Sequence, residues 1–278
     1  MKAIVNTVPG KLELLEWPMP QPGPGQVRIQ TRACGICATE LKMIDGWQRT
    51  GFPSIPGHEW SGRVDAVGEG VEPGLIGMCC VAENVLSDGG EVGFEHPGGY
   101  GEYFLTEARN LYPLPEDFPA HLAALIEPLA VCVRGMRRLR IETTEQPALI
   151  FGDGPIGLLM LLLLRHAGME DITMVGGKPD RLALASELGA RQVVLAPQGE
   201  DPAAELKETL GREFAYVIEA SGSPVAMRTS LDMARRGGRI LVLGDYDEAR
   251  ANFEWNFLLH RELEITGSNA GAGAWPAA

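Results

Sequence analysis

A chain of 278 residues is long enough for two ordinary domains of ~100–200 residues each. With 45% hydrophobic and 22% charged residues it has the composition of a folding globular protein, which excludes a disordered or low-complexity chain. Acidic residues outnumber basic ones 37 to 24, a net charge of −13, so nothing draws it to a phosphate backbone or an anionic membrane; nucleic acid and membrane are excluded as partners.

The first residues, Met1 to Val5, alternate like a strand and show no secretory signal core, so a cytoplasmic protein is expected. Up to about Asp117 the chain is rich in Gly and Pro and carries short β-type runs at Lys11 to Glu16, Val27 to Ala33, Trp60 to Val67 and Tyr100 to Thr106. The expectation is a small all-β unit, with Pro18 to Gly25 as a rigid, turn-rich connector. From Ala120 to Leu139 apolar residues recur at helical spacing, and Pro128 kinks or begins a helix there, bridging two domains.

Beyond that bridge, strands are predicted at Ala148 to Phe151, Ile172 to Val175, Gln192 to Leu195, Phe214 to Ile218, Arg239 to Leu243 and Leu263 to Thr266, separated by helical stretches. The alternation predicts an α/β fold with a doubly wound parallel sheet. The longest apolar run, Ile156 to Leu164, falls short of the ~20 residues of a membrane helix and reads as a buried helix. Cys34, Cys37, Cys79, Cys80 and Cys132 are odd in number and scattered, which speaks against a disulfide framework and leaves one or more free to meet a metal.

The first strand of the second half runs into Gly152-Asp153-Gly154-Pro155-Ile156-Gly157 and then an apolar helix, the context of a dinucleotide fingerprint. Gly152 serves the tight turn, Gly154 lets the backbone approach the pyrophosphate, and Gly157 lets helix and strand pack closely, with the phosphates at the helix N-terminus. An NAD site ends its second strand in Asp or Glu for the ribose 2′-hydroxyl; here that strand ends Met174-Val175-Gly176-Gly177-Lys178. No carboxylate stands at the strand end and Lys178 and Arg181 bring positive charge, so NADP(H) is expected over NAD(H). The alternative is that these two are solvated charges and NAD(H) still binds. Ser221 and Ser268 follow predicted strands at the carboxyl edge, where open sheets bind ligands.

Cys37, His58, Glu59 and Glu127 have the composition of a catalytic zinc site, with about three N, S or O ligands and one open position. Each also has a structural reading, as a buried thiol, a core histidine or a carboxylate at a helix start. Cys34 and Cys37 form a CxxC, but a redox pair belongs beside a βαβ pattern, not in an all-β region.

The strings Cys34-Gly35-Ile36-Cys37-Ala38-Thr39-Glu40, Pro56-Gly57-His58-Glu59 and Ile126-Glu127-Pro128-Leu129-Ala130, followed by the glycine turn, resemble in order and register the medium-chain zinc alcohol dehydrogenase family, in its sorbitol and threonine dehydrogenase branch. The resemblance implies a GroES-like β-barrel catalytic domain with the bridging helix at 1–141, a Rossmann domain at 142–270 and a stub of a returning segment at 271–278. It implies one catalytic zinc held by Cys37, His58 and either Glu59 or Glu127, with the hydroxyl of Thr39 relaying the proton. Asp45, Gly46 and Trp47 would fall in the substrate pocket, and a homodimer or homotetramer is expected.

The expected activity is hydride transfer between the nicotinamide cofactor and a secondary alcohol, polyol or cyclic alcohol, with zinc as the Lewis acid. Val81 to Gly99 lacks the cysteine lobe that holds a second, structural zinc in many relatives, so that metal is expected to be absent. Two other readings compete: a zinc-free quinone or enone reductase of the same superfamily, and a nucleotide-sensing protein that keeps the fold without turnover.

Overall fold

In the computed structural model, which describes residues 1–47, 49–199 and 201–278, the chain divides into two compact units, Met1–Glu127 with Ala278, and Pro128–Ala277. The first contains a hairpin, β1 (Lys2–Val8) with β2 (Lys11–Glu16), and a five-stranded antiparallel sheet in the order β6-β3-β4-β5-β7. Its strands are β3 (Gln26–Cys34), β4 (Trp60–Val67), β5 (Cys79–Ala82), β6 (Tyr103–Glu107) and β7 (Leu111–Pro113). A bridge between Ala3 and Gly101 ties the hairpin to the segment before β6.

Val27, Ile29, Trp60, Val64 and Phe104 alternate inward and form the core of this sheet, with Trp60 and Phe104 packed edge to face at 4.8 Å. The unit is not all-β. A short helix, α1 (Ala38–Ile44), begins at Cys37, where the Glu40 carboxylate reaches back to accept the Cys37 N–H at 2.7 Å. This reciprocal cap stabilises a helix start in a segment otherwise dominated by turn residues. Around Pro128 the predicted bridging helix is two helices, α2 (Ala120–Ala123) and α3 (Ile126–Leu139); Pro128 sits in the first turn of α3, where its missing N–H costs nothing.

The second unit is a six-stranded, wholly parallel sheet in the order β10-β9-β8-β11-β12-β13. Its strands are β8 (Ala148–Phe151), β9 (Ile172–Gly176), β10 (Gln192–Leu195), β11 (Phe214–Glu219), β12 (Ala234–Val242) and β13 (Glu264–Gly267). Helices α4 (Pro155–His166), α5 (Pro179–Glu187), α6 (Pro202–Leu210), α7 (Pro224–Met233) and α8 (Asn256–Arg261) connect them. Alternate residues of the central strands serve two cores: Ile150, Met174, Ile218 and Leu241 on one face, Leu149, Val175, Val217 and Ile240 on the other. A sheet covered on both faces gives the unbroken apolar runs seen in the sequence. The order reverses beside β8, which places the switch point at the glycine turn.

On the rim of this unit Arg212 donates twice to Asp171, at 2.6 and 2.8 Å, and its hydrogen bonds hold the Asp171 carboxyl below its ordinary pKa. A carboxylate lowered in the folded state stabilises above its unfolded pKa, near 4, and loses that contribution as pH falls through the folded value. Asp171→Asn is expected to cost about 1 kcal/mol at pH 7 in urea unfolding, with the gap to the wild type closing below about pH 4.

Candidate metal and cofactor sites

In the first unit, β3 ends at Cys34, the chain turns through Gly35 and Ile36, and Cys37 opens α1. The Pro56 to Glu59 segment leads into β4, and Gly35 N–H donates to Glu59 O at 2.7 Å across the antiparallel pair. The approach is close: a Cβ on Gly35 would stand 2.2 Å from Glu59 Oε2. Cys37, His58 and Glu59 thereby bring one ligand atom each to within 4.8 Å of one another. Thr39 is half-buried, its Oγ1 3.6 Å from Cys37 Sγ.

Glu40, fully buried, organises this group. Besides the Cys37 N–H it accepts the His58 N–H at 3.1 Å, and its Oε1 lies in ion-pair contact with His58 Nδ1, close to that nitrogen but outside the in-line direction of a ring hydrogen bond. Asn84 fixes the other side of His58, donating to its carbonyl at 2.8 Å and accepting from Trp60 Nε1 at 2.9 Å. The His58 ring also stacks at 4.8 Å on Phe94, whose other neighbour is the Arg49 guanidinium, 4.4 Å from the ring. Arg49 pairs with Glu91 and Glu95 and so holds the segment between β5 and β6 against this wall; it also lies 5.9 Å from Trp47.

The electrostatics call for a cation. Burial disfavours a charged His58, yet Cys37, Glu40 and Glu127 outweigh it and push the imidazole up to about 11. Burial raises the Glu59 carboxyl, and Glu40 raises it further against the attraction of His58. Glu127 retains some accessible surface but is desolvated enough, with Glu59, Glu40 and Glu91 around it, to be pushed up to about 7. Excess negative charge in a desolvated place is costly unless a cation completes it.

Thiolate, imidazole and carboxylate are the donors zinc takes, and a tetrahedral ion would set them ~3.4–3.8 Å apart, a modest contraction of the observed cluster. The residues therefore fit a zinc ion. Glu127 acts on His58 electrostatically but does not belong to the three-residue ligand group. Glu40 lies against the Nδ1 side of His58, which leaves Nε2 as the nitrogen for a metal. Glu40→Gln is expected to lower zinc affinity about 10–100-fold in a chelator competition, with little change in the melting curve of the metal-free protein.

In the second unit, β8 leads into Gly152, with φ +110°, and α4 begins at Pro155 with Gly154 as its N-cap. A Cβ on Gly157 would stand 1.9 Å from Gly152 O, whereas one on Gly154 meets nothing within 4 Å, so backbone is open to a ligand there. Ile156 is half-buried in α4. Asp153 is 8% exposed and its Oδ2 accepts the Lys178 N–H at 2.7 Å, joining the glycine turn to the end of β9. Lys178 is exposed and Arg181 half-buried at the start of α5.

Glu219, buried at the end of β11, accepts from the N–H and hydroxyl of Ser221 and from the Tyr246 hydroxyl, pinning the loop that carries Ser221. Ser268 Oγ, after β13, is buried without a partner among the described residues, a free polar atom at the carboxyl edge. The open Gly154 backbone and this unmatched hydroxyl fit a dinucleotide.

Two family models cover most of the chain: "Alcohol dehydrogenase GroES-like domain" over residues 23–116 and "Zinc-binding dehydrogenase" over 155–278. An L-threonine 3-dehydrogenase of Chelativorans sp. (strain BNC1) is 32% identical, over 96% of this chain and 83% of its own length. The chain belongs to the zinc-type medium-chain alcohol dehydrogenase family. A D-altritol 5-dehydrogenase of Agrobacterium fabrum is 31% identical over 97% of this chain and 84% of its own.

Two solved structures superpose with TM-scores of 0.91: an alcohol dehydrogenase of E. coli CFT073 with NADH, 26% identical over 100% of this chain and 86% of that one, and a zinc-binding dehydrogenase of Sinorhizobium meliloti 1021 with NADP, 25% identical over 99% and 86%. This medium-chain dehydrogenase is thus an oxidoreductase with a GroES-like and a Rossmann-type domain. No helix among its described residues is long and apolar enough to cross a membrane. Spacing alone missed Glu40 and Asp153; the first had a signal in its position three residues after Cys37, the second none.

Proposed function

We propose that this dehydrogenase oxidises a secondary alcohol, polyol or cyclic alcohol, and reduces the ketone in reverse, at a single catalytic zinc held by Cys37, His58 and Glu59. The convergence of these three donors, one ligand atom each within 4.8 Å of one another, is the observation that carries the reading. The bound zinc supplies Lewis acidity towards the alcohol or carbonyl oxygen.

The chain's own residues do the rest. Glu40 holds His58 in position through Nδ1 and, with Cys37, keeps α1 anchored beneath the site. The Thr39 hydroxyl, beside Cys37 Sγ, is placed to pass on the alcohol proton. Glu127 stands outside the ligand group as a further negative charge. The Phe94 face, backed by Arg49, walls His58 from one side, with Trp47 close to Arg49.

In the second unit, Gly152, Gly154, Pro155, Ile156 and Gly157 form the turn for the pyrophosphate, and Ser221 and Ser268 line the carboxyl edge. Lys178 and Arg181 are the residues that would meet a 2′-phosphate; the NADP(H) preference expected from them competes with the carboxylate of Asp153. A catalytic domain at 1–141, a cofactor domain at 142–270, a homodimer or homotetramer and a cytoplasmic location complete the reading, the last in keeping with an odd and scattered set of five cysteines.

Elemental analysis of the purified chain, with a panel of L-threonine, hexitols and cyclic alcohols under NAD and NADP, tests it. One zinc per chain and cofactor-dependent oxidation of a secondary alcohol are expected. A zinc-replete preparation that binds nicotinamide nucleotides but holds no zinc would move the zinc-free reductase or the nucleotide-sensing reading to the front.

A further inference from the structure

We infer that Asp153 discriminates against the 2′-phosphate of NADP(H), as a carboxylate transferred from the end of the second strand into the glycine turn; the inference rests on the nicotinamide-dehydrogenase reading above. In a dinucleotide fold the acid that bonds the ribose 2′-hydroxyl ordinarily stands at the end of the second strand, about 20 residues after the glycines. Here β9 ends in Gly176 and Gly177 follows, so the strand offers no side chain at all.

The space is nevertheless filled. A Cβ on Gly176 would lie 2.5 Å from Asp153 Cβ, 2.6 Å from its Cγ and 2.6 Å from its Oδ2. The Asp153 carboxyl group therefore occupies the volume from which a strand-end acid would project. Glycine at 176 and aspartate at 153 are two halves of one arrangement, since no larger residue at 176 is compatible with the carboxyl group lying where it does.

Its orientation is fixed. Oδ2 accepts the Lys178 N–H at 2.7 Å, two residues beyond Gly176, while Oδ1 accepts no hydrogen bond from the described residues and is not among the buried, unpartnered atoms. One oxygen is thus left to accept from a ribose hydroxyl. The same carboxylate repels a 2′-phosphate brought to that hydroxyl, because like charges a few ångströms apart in a poorly hydrated place disfavour one another. Lys178 and Arg181 carry countercharge on the same edge, but Lys178 is exposed and its charge screened, whereas Asp153 is 8% exposed.

Equilibrium titration of the full chain with NADH and NADPH, followed by nucleotide fluorescence, tests this. The wild type is expected to bind NADH at least about tenfold more tightly than NADPH. Asp153→Asn keeps an acceptor for the Lys178 N–H and removes the charge, and is expected to narrow that ratio by about tenfold or more. Asp153→Ala should narrow it likewise and vacate the space beside Gly176, so that the double variant Asp153→Ala/Gly176→Asp, with its carboxylate back on the strand, recovers the preference for NADH. A merely structural Asp153 would not be rescued in this way. Equal or tighter NADPH binding by the wild type, or a ratio unmoved in both single variants, overturns the inference while leaving the dehydrogenase reading intact. Failure of the wild type to bind either nucleotide overturns both.

Discussion

Cys37→Ser is expected to leave a folded protein that holds no stoichiometric zinc and has lost on the order of 10³-fold in kcat/KM, because several kcal/mol of Lewis-acid stabilisation go with the metal. The zinc ligand in such a site is a thiolate; a serine hydroxyl stays protonated near neutral pH and is a far poorer donor. Folding should survive the change for local reasons. The Cys37 N–H to Glu40 bond is a backbone bond and is untouched, and serine is among the best residues at a helix N-cap, the position Cys37 holds before α1. Metal analysis, circular dichroism and steady-state kinetics on the same preparation separate the two effects. Wild-type zinc content and turnover in the variant would remove Cys37 from the site, and with it the proposed ligand set.

Legibility in the sequence followed burial. Strands covered on both faces, such as Ala148–Phe151 with all four residues buried, appear as unbroken apolar runs bounded by turns; the expected ends match β8, while β9 and β11 each run one residue further, to Gly176 and Glu219. β12 was harder. It begins at Ala234, whose pairing with Phe214 precedes a register shift, and its Arg-Arg-Gly-Gly stretch carries no apolar pattern. β5 and β7 are too short for periodicity, and α1 lies in a segment whose glycines mask its cap.

The same logic separates the site residues. Cys37, His58 and Glu59 belong to strings with a chemical identity, so they could be named before any coordinates. Which glutamate approaches them depends on the antiparallel pairing of β3 with β4, which carries Glu59 towards Gly35 and leaves Glu127 to act through space. Glu40 looks like an ordinary first-turn acid; only the tertiary approach of His58, 18 residues on, makes it a positioning group. Asp153 is concealed by its neighbours, since the motif draws attention to glycines, and its meaning depends on its own carboxyl group filling the volume beside Gly176, which no spacing reports.

Two glycines of the turn make different predictions for stability, though both bear on nucleotide binding. Gly157→Ala places a Cβ 1.9 Å from Gly152 O and 3.0 Å from its carbonyl carbon, backbone atoms of a residue already held at φ +110°. Relief requires α4 to lift from β8, loosening the packing of Met160, Leu161 and Leu164, all fully buried. Overpacking of this kind costs about 1–3 kcal/mol, a fall in Tm of roughly 3–10 °C, and nucleotide affinity should drop with the distorted turn. Gly154→Ala is the counterpart. Its backbone, φ −78° and ψ 179°, suits alanine and its Cβ would meet no protein atom, so stability should change by no more than about 0.5 kcal/mol. The methyl would instead project into the space where backbone must approach the pyrophosphate, and NADH affinity is expected to fall about tenfold or more. Thermal melts and nucleotide titrations of the two variants read these effects independently. Undiminished NADH binding by Gly154→Ala would mean that the pyrophosphate does not approach this turn, whatever the melting curve of Gly157→Ala shows.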